Sequence, residues 1–257
     1  MIPIFSFIIG LIFGSFANVC ILRLPEEQSV IRPPSHCPRC DTPLRFQDNI
    51  PVVSFLLLKG RCYRCHKSIA WQYPVIELAM ACLFMGSALY FRGFLLRALI
   101  ADTLFFYLLT LSVIDYRHRI IPDELSLSLL AIGLAIGGIN PFLRSPGLWG
   151  YIESGCAMLL GGLFMLGLAW TGEKVFKKEA LGGGDIKLVA AFGALLGWRG
   201  LFGSLFLGSL FGGLSGLALL LSGKKQRGET LPFGPFLSLG VFATVFLPPQ
   251  WLRLIFP

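Results

Sequence analysis

Charge is what this 257-residue chain has least of. Asp, Glu, Lys and Arg make up 14% of it, where a soluble domain carries about 25%. So small a share does not cover a globular surface. With 55% hydrophobic residues and a mean hydropathy of +0.73, a soluble domain is excluded. The apolar runs also lack the alternation of about ten residues that marks strands of a membrane barrel. What remains is an all-α polytopic membrane protein, whose spans need runs of roughly 17–25 apolar residues.

About eight transmembrane helices are expected, near residues 2–22, 74–91, 95–114, 124–140, 150–171, 186–198, 200–222 and 233–249. The sixth is short and ends at Trp198, which suits a segment tilted or partly buried in protein. The first lacks the basic start of a signal peptide, and in "FANVC" the bulky Val19 beside Cys20 makes a poor cleavage box. It is expected to be a retained helix.

Acid is scarcer than base, 14 residues against 22, giving a net charge of +8. Its distribution excludes a nucleic-acid reading. Alternate loops put 17 Lys/Arg on one side: Arg23 to Lys67, Arg117 and Arg119, Lys174 to Lys187, and Lys224 to Arg227. The other side has five: Arg92, Arg97, Arg144, Arg199 and Arg253. That asymmetry is the positive-inside rule. It puts both termini outside the cytoplasm and four loops within it.

One loop, of about fifty residues between the first two spans, is large. It holds four of the seven cysteines, as "CPRC" (37–40) and "CYRC" (62–65), with 21 residues between the pairs. Four thiolates at this spacing suit tetrahedral zinc, and so small a loop needs such a staple. Two disulfides are the alternative; a reducing cytoplasm favours zinc on Cys37, Cys40, Cys62 and Cys65. A closed four-cysteine site leaves no open position for catalysis, so the metal is structural. His36 and His66 adjoin these cysteines, but adjacency is poor ligand geometry. Cys20, Cys82 and Cys156 fall in spans and read as small buried apolar residues.

Acids within or beside spans are rare without a reason. Asp102 reads as a hydrogen-bonding group between helices. Glu77 and Glu153 read as first-turn acids that favour the helix dipole. "LSVIDYRHRIIPDELSLSLL" and "LGGGDIKLVAAFGALLG" differ from these. Asp123, after Pro122, starts a helix as its N-cap, and on pattern alone Asp185 reads as a cap too. Asp115 closes a helix, where the dipole disfavours an anion, with Arg117 and Arg119 as the local compensation. Both loops face the cytoplasm by alternation, so Asp115 and Asp185 can share one layer. Two carboxyls a few ångströms apart share a proton. One then takes a proton from water while the other protonates a peptide carbonyl. Gly182–Gly184 would let backbone approach a substrate strand.

These stretches resemble the type IV prepilin peptidases, membrane aspartyl proteases with a Gly-x-Gly-Asp motif. The resemblance runs in order through "GSFANVCILRLP" (14–25), the two Cys pairs with "YPVIE" (73–77), "IDYRHRIIPDEL" (114–125), "GGGDIKLVAAFGALLG" (182–197) and "LPFGPFLSLG" (231–240). It implies an inner-membrane enzyme that cuts the basic leader from prepilins or pseudopilins at the cytoplasmic face. It further implies N-methylation of the new terminal residue, usually Phe, from S-adenosylmethionine. The substrates implied carry a basic leader and an apolar N-terminal helix, as in type IV pili and type II secretion. Carried over by position, Asp115 and Asp185 are the catalytic pair, Asp123 is a helix-start residue, and the four cysteines bind zinc. The resemblance divides the chain into 1–93, the first two helices with a methyltransferase region, and 94–257, a six-helix peptidase. No Gly-rich nucleotide fingerprint appears. The cofactor-binding residues are unassigned, with Glu77 and Asn18 the candidates. "GSLFLGSLFGGLSG" (203–216) reads as close helix packing.

Two other classes compete. A transporter with a regulatory zinc loop would place acids near mid-span and show inverted repeats, and neither is evident. A scaffold that binds an assembly ATPase through the loop would leave the aspartates dispensable.

Overall fold

The computed structural model of the chain describes residues 1–177, 182–223 and 232–247. Its elements are α1 (Ile2–Arg23), α2 (Val53–Leu57), α3 (Gln72–Tyr90), α4 (Leu95–His118), α5 (Asp123–Ala135), α6 (Leu148–Phe176), α7 (Gly183–Leu221) and α8 (Phe233–Phe246), with 3-10 turns at Leu24–Glu26 and Phe46–Asn49. Among the described residues there is no strand, only isolated bridges in the large loop. Helices α1, α3, α4, α6 and α7 are long and apolar enough to cross a membrane, and α8 is a shorter apolar helix. The chain is a multi-pass helical membrane protein.

Helices α5 and α6 end elsewhere than the apolar runs suggest. α5 has 13 residues and stops at Ala135, because Gly137, Gly138 and the Asn140-Pro141 pair follow, which favour turns. α6 has 29 residues and runs on to Phe176; Glu173 and Lys174 are good helix formers and carry the helix past its apolar part. Residues 248–249 of the last expected span lie outside the described residues. So do Lys178, Lys224, Lys225, Arg227 and Arg253 of the charge count.

The 39 residues of α7 are two helices, divided at Gly197, whose φ of 67° and ψ of 177° no helix contains. The halves coincide with the sixth and seventh apolar runs. The break leaves carbonyls without helical partners, and in lipid those must be satisfied by protein. Ser154 Oγ donates to Ala194 O at 2.8 Å, and Asn140 Nδ2 donates to Leu195 O at 2.7 Å. Residues 188–197 are buried throughout, which accounts for a segment too short to sit in lipid alone.

The chain divides into two compact units, Met1–Thr110 and Leu111–Pro257. In the first, α1 crosses α3 at two glycines. A Cβ on Gly10 would lie 2.6 Å from Ala81 Cα, and one on Gly14 would lie 2.6 Å from Glu77 Cα. Small residues four apart let backbones meet where lipid supplies no hydrophobic drive. The opposite face of α1 exposes Ile4, Phe5, Ile8, Ile12 and Phe16 to lipid. Ser87 of α3 donates a hydrogen bond to Asp102 of α4, the interhelical role expected for that acid.

In the second unit α7 packs on α5, α6 and α8. The Gly-rich run does bring helices close: a Cβ on Gly208 would touch Leu237 Cα at 3.1 Å, and Gly240 lies tighter still against Ser204 O. Glu153 is not a first-turn acid. It lies past the first turn of α6, where Oε2 accepts Arg144 N–H at 2.8 Å. Cys20 is buried as expected, but Cys82 and Cys156 are exposed, because apolar thiols are as welcome against lipid as in a core.

Candidate active site and metal centre

Asp115 lies in the last turn of α4 and is buried. Its Oδ2 accepts the N–H of Gly234, the second residue of α8, at 2.8 Å. The first N–H groups of a helix have no intrahelical acceptor and carry the positive end of its dipole. The α8 N-terminus thus supplies what the α4 C-terminus denies this carboxylate. The Arg119 guanidinium is also within electrostatic reach. A Cβ on Gly234 would stand 2.7 Å from Asp115 Oδ2, so any side chain there displaces the carboxylate.

Asp185 is the third residue of α7, where Gly182 is the N-cap. It is therefore not the cap its pattern suggested; its N–H bonds to Gly182 O at 3.1 Å. Half-buried, its carboxylate lies close enough to Asp115 for direct charge–charge interaction. The structure thus brings together two acids 70 residues apart in sequence.

Two contacts hold the segments that carry them. A Cβ on Gly184 would fall 2.7 Å from Ile121 Cβ and 3.1 Å from Ile121 O. The glycine therefore admits the chain's own 119–122 loop, whereas Gly183 meets nothing within 4 Å. Lys187 Nζ bonds both oxygens of Asp123, at 2.6 and 2.7 Å. Asp123 starts α5, as expected, but as its first helical residue. Pro122 is the N-cap, and no side chain caps the end.

The first unit holds the cysteine cluster. The Sγ atoms of Cys37, Cys40, Cys62 and Cys65 lie within 4.8 Å of one another, and Cys37 and Cys65 are 4.0 Å apart. Zinc with Zn–S bonds of about 2.3 Å needs tetrahedral sulfurs about 3.8 Å apart. The four thiols fit that ion. The two knuckles repeat with a shift of 25 residues. Cys37 N–H bonds Thr42 O and Cys62 N–H bonds Lys67 O, at 3.0 and 2.9 Å; Asp41 and His66 N–H return to Cys37 O and Cys62 O. Asp41 and His66 take matching left-handed φ values of 52° and 56°, so His66 turns the knuckle instead of replacing a ligand. The hydroxyl and backbone of Thr42 bring the Cys40 thiol down to about 6. Backbone bonds at Cys65 and Arg64 lower that of Cys62, and burial pushes Cys37 up to about 11.

Asn18 and Glu77, the candidates for a cofactor site, are both tied into the protein by hydrogen bonds. Asn18 is buried and spends its amide on Gly14 O and Tyr73 O, at 3.2 and 3.1 Å, with Oδ1 taking Gln72 Nε2 at 3.3 Å. Glu77 is not in the first turn of α3. It is buried, and its Oε2 accepts Val52 N–H at 2.7 Å. Val52 has φ 61° and ψ −46°, and Val53 N–H reaches Pro51 O at 2.6 Å. That is a γ-turn of the strained hand at a β-branched residue. Sequence alone gave no signal for the roles of Gly234, Lys187 and Val52, since each depends on a partner distant in the chain.

Residues 8–91 match the bacterial peptidase A24 N-terminal domain, and residues 103–217 match the type IV leader peptidase family. The chain is 35% identical over 258 residues to a prepilin leader peptidase/N-methyltransferase of Stutzerimonas stutzeri, covering 91% of this chain and 86% of the relative. It is 35% identical to the protein of the same name from Burkholderia pseudomallei, over 98% and 87%. It is 36% identical to a type 4 prepilin-like proteins leader peptide-processing enzyme of Escherichia coli O78:H11, over 95% and 94%. No solved structure matches the chain.

Proposed function

Because this chain belongs to the type IV leader peptidase family, we propose that it removes the short basic leader of type IV prepilins or pseudopilins and N-methylates the residue exposed. The observation that carries the peptidase reading is the pairing of Asp115 and Asp185 at neighbouring helix ends, with the Gly234 N–H fixed on Asp115. One carboxylate removes a proton from water as the oxygen attacks the scissile carbonyl carbon. The other gives its proton to the carbonyl oxygen, and collapse of the tetrahedral intermediate hands a proton to the leaving amine. Gly182 and Gly183, both exposed, leave the approach to Asp185 open.

The substrate class follows from where the acids sit. A prepilin offers a basic leader ahead of an apolar helix, so its scissile bond arrives at the membrane surface. The lysines and arginines of the loops put that surface in the cytoplasm by the positive-inside rule, with both termini outside. The seat is the bacterial inner membrane; lipid and the prepilin are the partners, and nucleic acid is not.

Residues 94–257 form the peptidase on this reading, and residues 1–93 the region for methyl transfer. Zinc on Cys37, Cys40, Cys62 and Cys65 closes the two knuckles into one module and leaves no coordination position for a reactant. S-adenosylmethionine is the methyl donor.

The test uses the full chain in proteoliposomes with a prepilin and S-adenosylmethionine, scoring leader removal and methyl incorporation separately. Asp115→Asn and Asp185→Asn should each abolish cleavage while the protein stays folded. Cleavage surviving either substitution overturns the aspartyl mechanism.

A further inference from the structure

Helix α2 is five residues long, exposed and mostly apolar, in a loop otherwise full of charge. Leu56 and Leu57 stand 68% and 76% exposed, and Trp71 is 73% exposed. Water is a poor home for three such side chains at the foot of a transmembrane helix, so what covers them is a physical question.

The position of α2 is fixed by α3. Phe55 packs on Trp71 with ring centroids 5.0 Å apart, and Val52 N–H is held by Glu77 in the second turn of α3. α3 has 19 residues, about 28 Å at 1.5 Å per residue, close to the thickness of the hydrocarbon core. Its N-cap, Trp71, therefore stands where the hydrocarbon ends, the level at which tryptophan gathers in membrane proteins. Val75, Leu78, Cys82 and Leu89 are the exposed residues of α3 that continue from Trp71 along its length. Spaced as one helical face, they form its lipid-facing stripe. Leu56 lines one groove with Trp71 at the end of that stripe, and Leu57 follows it in α2, also exposed.

Beside Trp71 lies an open groove of about 680 Å³ that Lys59 and Arg61 line with Phe55 and Leu56. No carboxylate lines it. An apolar floor with a cationic edge at headgroup depth matches a phospholipid with a net negative charge.

From this arrangement we infer that the zinc module sits on the membrane through α2 and Trp71. Leu56, Leu57 and Trp71 enter the acyl boundary, and Lys59 and Arg61 hold anionic phospholipid headgroups. Arg61 of the groove directly precedes Cys62 of the second knuckle, so the membrane surface sets the height at which the module stands. This inference needs the membrane span of α3 and does not depend on the catalytic reading.

The test puts a photoreactive side chain into the full chain, as Leu57→p-benzoylphenylalanine, Leu56→p-benzoylphenylalanine or Arg39→p-benzoylphenylalanine. Arg39 is an exposed control on the first knuckle. Each protein is reconstituted in nanodiscs of phosphatidylcholine, alone or with phosphatidylglycerol, illuminated and weighed intact. Bound zinc and retained leader removal serve as the check on folding. Positions 56 and 57 should gain the mass of a phospholipid and position 39 should not. The yield should rise several-fold with phosphatidylglycerol, and Lys59→Glu with Arg61→Glu should remove that rise. Adducts at 56 and 57 to peptide of the same chain or of a second copy, or no adducts while zinc is bound, overturn the inference. Lipid adducts of equal yield in both bilayers overturn the headgroup assignment.

Discussion

Asp115 and Gly234, 119 residues apart, meet through a hydrogen bond of 2.8 Å from the first turn of α8 to the last turn of α4. Each helix end completes the other: one carries a carboxylate in an unfavourable place, the other a backbone N–H without an acceptor. The fit leaves no room for a methyl group.

Gly234→Ala should therefore displace Asp115 with little effect on the helix itself. A Cβ there would lie 2.7 Å from Oδ2 and 3.1 Å from Cβ and Cγ of Asp115, and the carboxylate must turn away. Misplacement of a reacting group by about 1 Å costs on the order of a hundredfold in rate. Leader cleavage by the variant, timed in proteoliposomes, should fall by about that factor while methyl transfer to a leaderless pilin persists. Unchanged cleavage would show that the carboxylate needs no fixed orientation.

Lys187 and Asp123 make the complementary case. Their bond is short, but the side chains are 42% and 56% exposed. An exposed pair contributes no more than about 1 kcal/mol. Asp123→Asn and Lys187→Ala should lower thermal stability slightly and keep cleavage within a few-fold of the parent. A loss as deep as that of Asp115→Asn would move Asp123 into the reaction.

Much of this was legible in the sequence because lipid is a demanding solvent. The apolar runs and the spacing of the cysteines state helices and a four-thiol cluster without a fold. Asp115 also announced itself, as an acid where a helix dipole repels one. What compensates it was invisible, since Gly234 is a backbone donor supplied by a helix more than a hundred residues on. The cap reading of Asp123 failed for a related reason. Propensity describes a residue against its own helix, whereas Lys187 reaches it from another. Glu77 looked like a dipole acid because its partner is the backbone of a loop whose shape no local pattern announces.

Zinc removal should separate the two activities. The thiols lie within 4.8 Å in a loop with little apolar core, so a bound metal would carry the fold of the module, as in other small zinc domains. The purified chain should contain one zinc ion per molecule by elemental analysis. Cys37→Ser, or extraction with a strong chelator, should release it and abolish methyl transfer. Cleavage should remain, because Asp115 and Asp185 both belong to the other compact unit. Parallel loss of both activities would assign the metal a role in the whole enzyme.

Glu77 supplies the last prediction. Its Oε2 takes the N–H of a valine held at φ 61° and ψ −46°, a conformation that costs on the order of 1–3 kcal/mol and persists only while its surroundings enforce it. The side chain is buried, so without it the Val52 N–H would lose its acceptor. Glu77→Gln keeps a carbonyl oxygen of the same reach and should leave the loop as it is. Glu77→Ala removes the acceptor, and the γ-turn should relax to an extended backbone that frees α2 from α3. Limited proteolysis of the reconstituted chain should then cut within residues 45–60 at least several-fold faster in Glu77→Ala than in Glu77→Gln. The Asp115–Asp185 site should be unaffected, with cleavage near the parent rate. Equal protection in both variants would mean that the contact between Phe55 and Trp71 holds α2 unaided.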